Sequence, residues 1–252
     1  MRKKLDDLRK EINNIDHRMI QLLSKRGQLS SAIGEIKKAR KQSVYSPGRE
    51  SVIYRMVTKD NKGPLADESI KAIYREIMSA CISLEHPLII AYLGPELTFT
   101  HQASIKKFGV SVTYLSCNSI TDVFLEVERG NADYGVVPIE NSIEGAVSHT
   151  MDMFAGSPLM ICSESYLRIR HDLLSRAGSM KSIKRIYSNP QVFSQCRVWI
   201  EKNLPRAKLK DSASTAKAAE IAARHPDSAC IASGQAAGRY GLNVIARSIE
   251  DS

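Results

Sequence analysis

Residues 5–38 read LDDLRKEINNIDHRMIQLLSKRGQLSSAIGEIKK, and this segment decides the fold of the first third of the chain. Its apolar residues recur at alternating steps of three and four, the spacing of one stripe along an α-helix. The stripe comprises Leu5, Leu8, Ile12, Ile15, Met19, Leu22, Leu29, Ile33 and Ile36. We therefore predict a single long helix, from about residue 3 to residue 40, that buries one apolar face.

Arg26 interrupts this stripe, because it occupies the position between Leu22 and Leu29. A guanidinium in a buried seam is costly unless a carboxylate or another anion meets it. Two interpretations stay open. Either a buried partner neutralises Arg26, or the seam binds an acidic ligand.

Two shorter helices follow. Pro47 is well placed to open the second, predicted over residues 49–60 and ended by the Asn-Lys-Gly-Pro turn at residues 61–64. The third starts behind Asp67, a candidate N-cap. Two short helices cannot cover a first helix of about 50 Å. We therefore expect a second copy of the chain, as a homodimer, to bury the rest of the stripe.

Composition limits the other classes of protein. The 252 residues are enough for two domains, and 43% hydrophobic residues is ordinary for a soluble globular protein. No apolar run is long enough to span a bilayer, and the charged N-terminus leads directly into the first helix, so we expect a cytoplasmic protein. The five cysteines are scattered and form no CxxC pair, which indicates reduced thiols and no zinc site.

The formal net charge of +9 raises the question of nucleic-acid binding. Aromatic residues do not alternate with the basic runs, as they do in many nucleic-acid-binding surfaces. We interpret the excess charge as solvated helix faces and expect neither a nucleic-acid nor a membrane partner.

The pattern changes near residue 87, where strands begin to alternate with helices. This alternation predicts an α/β domain over residues 87–252, with helices on both faces of a sheet, after an all-helical domain over residues 1–86. The predicted strands are residues 88–94, 132–140, 159–170 and 228–233, and the predicted helices are residues 120–128, 146–154, 191–204 and 215–223.

Several charges of the helical domain could hold a small acid. Lys37 lies three turns after Arg26 on the same face, about 16 Å away, so the two cations could hold a dianion between them. Arg9 lies about 25 Å before Arg26 and could join only from a second chain. Glu85 shares a face with Cys81 and could meet a ligand or pair with a cation. Arg9, Lys37 and Glu85 could equally be solvated surface charges.

The first-helix segment, with YSPGRE at residues 45–50 and IYREIMSACISLE at residues 73–85, resembles the all-helical chorismate mutase family. The resemblance covers residues 1–86. It implies an intertwined dimer in which arginines of both chains bind the two carboxylates of chorismate. The reaction is a unimolecular rearrangement to prephenate, so the resemblance implies no nucleophile, metal or cofactor.

Carried over position by position, the resemblance implies roles for single residues. Arg26 and the partner's Arg9 would bind the carboxylates, and Lys37 would contact the ether oxygen of the breaking bond and a carboxylate. Glu50 would hold a ring hydroxyl, and Arg49 would help to order the site.

Three further positions depart from some family members. Glu85 faces the same ether oxygen, where some members have glutamine. A glutamate donates a hydrogen bond only when protonated, so activity should favour acid pH. Ser46 and Cys81 stand where some members have aspartate and serine, and should make weaker polar contacts with the substrate.

The second part resembles prephenate dehydratases over residues 88–252. The resemblance rests on residues 91–104, 118–147, 187–200, 212–223 and 231–242. It implies a two-lobed fold like that of periplasmic binding proteins, with the site in the cleft. The implied substrate-binding residues are Thr98, Phe99, Glu140, Asn141, Ser188, Gln195, Ser214 and Thr215. Structural roles stay open, with Glu140 and Asn141 at a strand-to-turn junction and Ser214 as an N-cap.

This part also departs from the family. Leu97 stands where glycine is usual, so a positive φ there would add strain of about 1 kcal/mol. Asn189 replaces a histidine. The family's Thr-Arg-Phe segment, which carries the catalytic threonine, does not occur in these 252 residues. We therefore expect a truncated chain, competent as a mutase and with little or no dehydratase activity.

Together the two parts resemble the multifunctional isomerase and lyase enzymes of phenylalanine biosynthesis, a branch of the shikimate pathway. Two alternatives stay open. In one, both activities are intact and another residue replaces the missing threonine. In the other, a two-lobed module binds an aromatic acid without reacting it and is fused to a helical dimerisation domain.

Overall fold

The computed structural model describes residues 5–40, 42, 45–141 and 145–251, and the chain forms two compact units. The helical unit comprises residues 1–89 together with residues 107–113. The α/β unit comprises residues 90–106 and 114–252. No helix within the described ranges is both long and apolar enough to cross a membrane.

The helical unit contains α1 (Leu5–Ala39), α2 (Pro47–Asp60) and α3 (Asp67–Glu85). Pro47 opens α2 as predicted, and the Ser46 side chain caps it by accepting a hydrogen bond from the Arg49 amide. The prediction of Asp67 as an N-cap is wrong, because Ala66 holds that position and Asp67 is the first helical residue. A carboxylate in the first turn still interacts favourably with the helix dipole.

The apolar stripe of α1 is exposed in the single chain. Its nine residues are 43–67% exposed, so one chain does not bury them, and their burial by a second copy stays a prediction. The buried residues of α1 are instead Gly27 and Gly34, where α1 packs against α3. A long exposed apolar row is unusual for a monomer and is typical of an interaction surface.

The first sheet of the α/β part has the strand order β2-β1-β3, and β1 and β3 are parallel. Its elements are β1 (Ile89–Leu93), α4 (Phe99–Phe108), β2 (Thr113–Cys117), α5 (Ile120–Glu128) and β3 (Tyr134–Val136). The helix predicted at residues 120–128 is confirmed. The strand predicted over residues 132–140 is shorter, and its end pairs separately as β4 (Glu140–Asn141) with β5 (Gly145–Ala146) before α6 (Ser148–Gly156).

The second sheet has five strands in the order β10-β6-β9-β7-β8. Its strands are β6 (Asp172–Ser175), β7 (Arg185–Ser188), β8 (Lys208–Asp211), β9 (Ser228–Ala232) and β10 (Asn243–Ala246), and its helices are α7 (Pro190–Gln195), α8 (Arg197–Asn203), α9 (Thr215–Arg224) and α10 (Gln235–Tyr240). β7 is parallel to β8 and β9, whereas β6 is antiparallel to β9 and β10. The sheet is therefore mixed.

The second sheet is covered on both faces, as predicted. Leu173 and Ile231 pack with residues of α7 and α8, whereas the neighbouring Leu174 and Cys230 pack with alanines of α9 and α10. Alternate side chains of a strand point to opposite faces. Both faces are buried, so the strands need apolar residues at consecutive positions.

Two predictions fail in this part. The strand predicted over residues 159–170 is wrong, because these residues form no strand and most are exposed, with Met160 88% exposed. The strand starts instead at Asp172. Helices cover Leu173 on one face of the sheet and Leu174 on the other. The helix predicted over residues 191–204 is divided in two, because the backbone of Cys196 (φ −120°, ψ 14°) is not helical.

Candidate active site

A cavity of about 440 Å³ lies in the helical unit. This volume suits a small-molecule ligand. The residues that line it come from α1, α2, α3, the segment before α2, Leu88 after α3 and residues 107–112. Seven of the eight residues predicted for the helical site line it, namely Arg26, Lys37, Ser46, Arg49, Glu50, Cys81 and Glu85.

The cavity is cationic. Five basic side chains line it against two acidic ones. Arg75 Nε also pairs with Glu76 Oε1 at 2.8 Å outside the lining, so five cations less this one and the two carboxylates leave a surplus of two positive charges. The basic residues are Arg26, Lys37, Arg49, Arg75 and Lys107, and the acidic residues are Glu50 and Glu85. A concave site lined mainly by one sign of charge attracts ligands of the opposite sign, so the cavity suits a small dianion.

Glu85 pairs with a cation of the cavity. Its Oε2 accepts a hydrogen bond from Lys37 Nζ at 2.9 Å, and its Oε1 accepts one from Ser30 Oγ at 2.7 Å. The Glu85 side chain is 7% exposed and that of Lys37 23%. Lys37 and Glu85 are therefore not solvated surface charges. Their pairing holds the ammonium of α1 against the carboxylate of α3.

Glu50 forms the second polar cluster. Its Oε2 accepts hydrogen bonds from Tyr45 Oη at 2.6 Å and from Lys107 Nζ at 2.9 Å. Burial, followed by the charge of the Glu50 carboxylate, raises the pKa of Tyr54 to about 12. Tyr54 is therefore a neutral phenol at physiological pH.

The remaining predicted residues of the helical unit have simpler environments. Arg26 is half-buried and lines the cavity, whereas Arg9 is largely exposed, lies 3.7 Å from Asp6 and does not line it. Cys81 is buried at the wall of the cavity. The hydroxyl of Ser46 is used as the cap of α2.

Arg75, Tyr45 and Lys107 line the cavity, and the sequence analysis gave none of them a role. Arg75 lies at helical spacing from Met78 and Ile82, which also line the cavity, so the periodicity of α3 could have revealed it. Tyr45 was included only as part of the YSPGRE motif. Lys107 has no local signal, because it is 57 residues away from Glu50 along the chain.

In the α/β unit, Gln195 and Phe99 meet through a residue that was not predicted. His171 Nε2 lies 2.6 Å from Gln195 Oε1, and the rings of His171 and Phe99 meet edge to face at 5.4 Å. His171 is buried, and no hydrogen bond to its Nδ1 is found within the described ranges.

Several predicted residues of the α/β unit have structural roles. The fully buried Ser188 donates its hydroxyl to the Ile231 carbonyl at 2.8 Å, so a contact with substrate would require this bond to break. Thr98 donates its hydroxyl to the Pro95 carbonyl at 2.9 Å. Ser214 caps α9, where it accepts a hydrogen bond from the Lys217 amide at 3.1 Å, and Thr215 is the first residue of that helix.

Glu140 is exposed in β4, next to Asn141. The side chain of Asn141 and residues 142–144 lie outside the described part of the chain. Asn189 caps α7 by accepting a hydrogen bond from the Gln191 amide. Leu97 has a φ of 68°, so the condition for backbone strain at this position is met.

The cationic cavity of the three-helix unit suits a small anionic ligand, and an α/β unit follows the helices along the chain. The sequence model of the family chorismate mutase type II matches residues 8–86. The sequence model of the family prephenate dehydratase matches residues 90–252. Together the two matches span nearly the whole chain.

Curated relatives with the same two parts match along the chain. A bifunctional chorismate mutase/prephenate dehydratase of Aquifex aeolicus is 46% identical over 98% of this chain and 70% of its own length. One of Neisseria gonorrhoeae is 44% identical over 96% of this chain and 67% of its own length. Among solved structures, a prephenate dehydratase of Arthrobacter aurescens, in complex with L-Phe, is 34% identical over 66% of this chain and 56% of its own, with a TM-score of 0.60.

The chain belongs to the bifunctional chorismate mutase/prephenate dehydratase family. Enzymes of this family rearrange chorismate to prephenate, as isomerases, and convert prephenate to phenylpyruvate, as lyases, in phenylalanine biosynthesis. This assignment favours an enzyme over a binding module fused to a dimerisation domain.

Proposed function

We propose that the cationic cavity of the helical unit is the site where chorismate rearranges to prephenate. The observation that supports this assignment best is the Lys37–Glu85 pair, which lies within a cavity that carries a surplus of positive charge. Chorismate carries two carboxylates, and the surplus charge suits a dianion.

The chemistry requires little beyond this arrangement. One C–O bond of the substrate breaks while one C–C bond forms within the same molecule, and negative charge develops on the ether oxygen. A cation held in place beside that oxygen stabilises the charge without reorganisation, and the walls of the cavity hold the reactive conformation. Lys37 is suited to this role because Glu85 fixes its ammonium.

Glu85 has a defined role in this scheme. Both of its carboxylate oxygens accept hydrogen bonds, one from Lys37 and one from Ser30. For Glu85 to donate to the ether oxygen, it must take up a proton and one of these two bonds must be exchanged. Greater activity at acid pH stays a prediction, and it requires this exchange of hydrogen bonds at Glu85.

We expect the arginines of the cavity to bind the carboxylates of the substrate. Arg26 and Arg49 line the cavity, as does Arg75. A guanidinium binds a carboxylate through two parallel hydrogen bonds, which gives orientation as well as affinity. The expected contribution of the partner's Arg9 requires a dimer.

The assignment is tested by replacing Lys37 in the full chain and following the loss of chorismate. We expect Lys37→Ala to lower kcat by about 100-fold or more, as removal of a group that stabilises developing charge does. The neighbouring Lys38 is exposed and does not line the cavity, so Lys38→Ala is the matched control. A folded Lys37→Ala variant with the kcat of the control would refute the assignment.

The proposed homodimer is supported by the exposed stripe of α1. Leu22, one turn before Arg26, is 67% exposed. A glutamate at this position would oppose burial of the stripe against a second copy. We expect Leu22→Glu to halve the mass measured by sedimentation equilibrium, whereas Leu65→Glu, at an exposed position outside the helices, leaves it unchanged. A wild-type chain that sediments as a monomer would exclude the dimer.

The α/β unit is the proposed prephenate site, with Gln195 as the residue to test. Its Oε1 is held by His171, which leaves the amide nitrogen as the donor for a substrate carboxylate or hydroxyl. We expect Gln195→Leu to weaken prephenate binding, measured calorimetrically, by about 10-fold or more. Unchanged binding in a folded variant would argue against this role. Thr98, Glu140, Asn141, Ser188, Ser214 and Thr215 stay predictions.

A further inference from the structure

Lys107 reaches the cavity of the helical unit although it lies beyond residues 8–86, where the chorismate mutase model matches. Its Nζ is 2.9 Å from Glu50 Oε2. The side chain of Lys107 is 22% exposed, and that of Glu50 is 11% exposed. A pair so withdrawn from water is screened less than a surface ion pair and holds its geometry better.

Tyr45 completes this arrangement. Its hydroxyl donates to the same Glu50 oxygen at 2.6 Å, and Lys107 Nζ lies 5.7 Å from the centre of its ring. The Lys107 ammonium therefore contacts the Glu50 carboxylate. Its distance from the Tyr45 ring is close to the upper limit of about 6 Å for a cation–π interaction. Both donors converge on Oε2, which fixes the orientation of the Glu50 carboxylate.

The segment that follows Lys107 is attached to α3 through its backbone. The Val110 amide donates to Glu76 Oε2 at 2.9 Å, and the Ser111 amide donates to Ser79 Oγ at 3.2 Å. Gly109 makes this approach possible, because its φ is +76° and a Cβ there would lie 2.6 Å from Ser79 Cβ. The rings of Phe108 and Tyr45 pack at 5.2 Å. Lys107 therefore lies in the last turn of α4, directly before an anchored segment.

We infer that Lys107 is a positioning residue of the mutase site, one that holds Glu50 for the ring hydroxyl of the substrate and adds positive charge for its carboxylates. The inference rests on the proposed function, since it requires chorismate to bind in this cavity. Lys107 acts mainly through Glu50 and the charge of the cavity. Its loss should therefore raise KM for chorismate more than it lowers kcat.

The test compares Lys107→Met with Lys106→Met in the full chain. Lys106 precedes Lys107 in α4, is exposed, donates to the Tyr166 carbonyl and does not line the cavity. Both variants lose the same charge. We expect Lys107→Met to raise KM by about 10-fold with a smaller change in kcat, as loss of a hydrogen bond between charged groups does, and Lys106→Met to match wild type.

A double-mutant cycle with Glu50→Gln shows whether Lys107 acts through Glu50. If it does, Lys107→Met has a smaller effect on KM in the Glu50→Gln background than in wild type, because residues in contact are not additive. Lys107→Arg should keep most of the affinity. If Lys107→Met does not fold, as judged by circular dichroism, Lys107→Gln replaces it as the uncharged variant.

Each result separates this inference from the proposed function. If Lys37→Ala also keeps full activity, the proposed site itself is wrong. If Lys37→Ala is inactive while Lys107→Met matches Lys106→Met, only the role of Lys107 is refuted. Fully additive effects of Lys107→Met and Glu50→Gln would likewise overturn positioning through Glu50.

Discussion

Gly34 of α1 lies so close to Glu85 of α3 that a Cβ on Gly34 would be 2.8 Å from the Glu85 Cα. This approach brings the two helices together at the level where Lys37 pairs with Glu85. A side chain at residue 34 would separate them. The position of the ammonium in the cavity therefore depends on a residue that has no functional group.

Gly34→Ala should destabilise the helical unit and lower mutase activity. The added methyl group meets backbone atoms, which cannot rotate away, so the helices must shift at a cost of about 1–3 kcal/mol. Gly48→Ala is the matched control, because nothing lies within 4 Å of a Cβ at that position of α2. Helix propensity predicts that the control is neutral or stabilising by up to about 1 kcal/mol. Equal melting temperatures for the two variants would contradict the packing argument.

Glu85→Gln should make mutase activity less dependent on pH. A carboxyl donates a hydrogen bond to the ether oxygen only when protonated, and its protonated fraction rises as pH falls. The amide nitrogen of glutamine donates at every pH, and the amide oxygen can still accept from Lys37. The measurement is kcat against pH for both proteins. A wild-type profile that does not rise toward acid, or an equal rise in the variant, would remove Glu85 from this role.

Leu97→Gly should be more stable than Leu97→Ala. Both variants lose the contacts that leucine makes beyond its Cβ, but only alanine keeps the penalty for a Cβ at a φ of 68°. The difference should be about 1 kcal/mol in the free energy of unfolding, in favour of glycine. Chemical denaturation of the two variants measures it, and an alanine variant at least as stable as the glycine variant would show that the backbone there is not strained.

The helical site was largely predictable because many of its residues follow the spacing of a helix, which is visible in the sequence. Helical spacing alone placed Arg26 and Lys37 on one face of α1, and the resemblance placed Glu50 and Glu85 opposite them. Lys107 could not be found in this way, because its pairing with Glu50 depends on the turn at Gly109 and on contacts between segments distant in sequence.

The α/β unit was less predictable, for a different reason. Apolar runs indicate strands only when layers cover them, and nothing in residues 159–170 distinguishes their exposed apolar residues from the buried pair Leu173 and Leu174. The antiparallel pairing of β6 is likewise set by the sheet as a whole. The role of Ser188 was equally hidden, because its hydrogen bond joins it to Ile231 on another strand.

The stability of the α/β unit should fall below neutral pH because of His171. Burial lowers the pKa of His171 from its usual value near 6.5, against smaller opposing effects of its bond to Gln195 and of the charges of Glu250 and Asp172. Below about pH 6.5 the unfolded chain therefore binds a proton at His171 that the folded chain does not bind. The contribution of His171 to the free energy of unfolding is complete above about pH 6.5 and is lost as pH falls toward the folded pKa, by at most about 1.4 kcal/mol per pH unit.

His171→Gln keeps a donor near Nε2 but does not titrate. Urea unfolding between about pH 7 and pH 5 should therefore show a shallower slope of unfolding free energy against pH for this variant. His225→Gln, at an exposed position, is the matched control. Equal slopes for wild type and His171→Gln would mean that His171 is not held neutral in the folded protein.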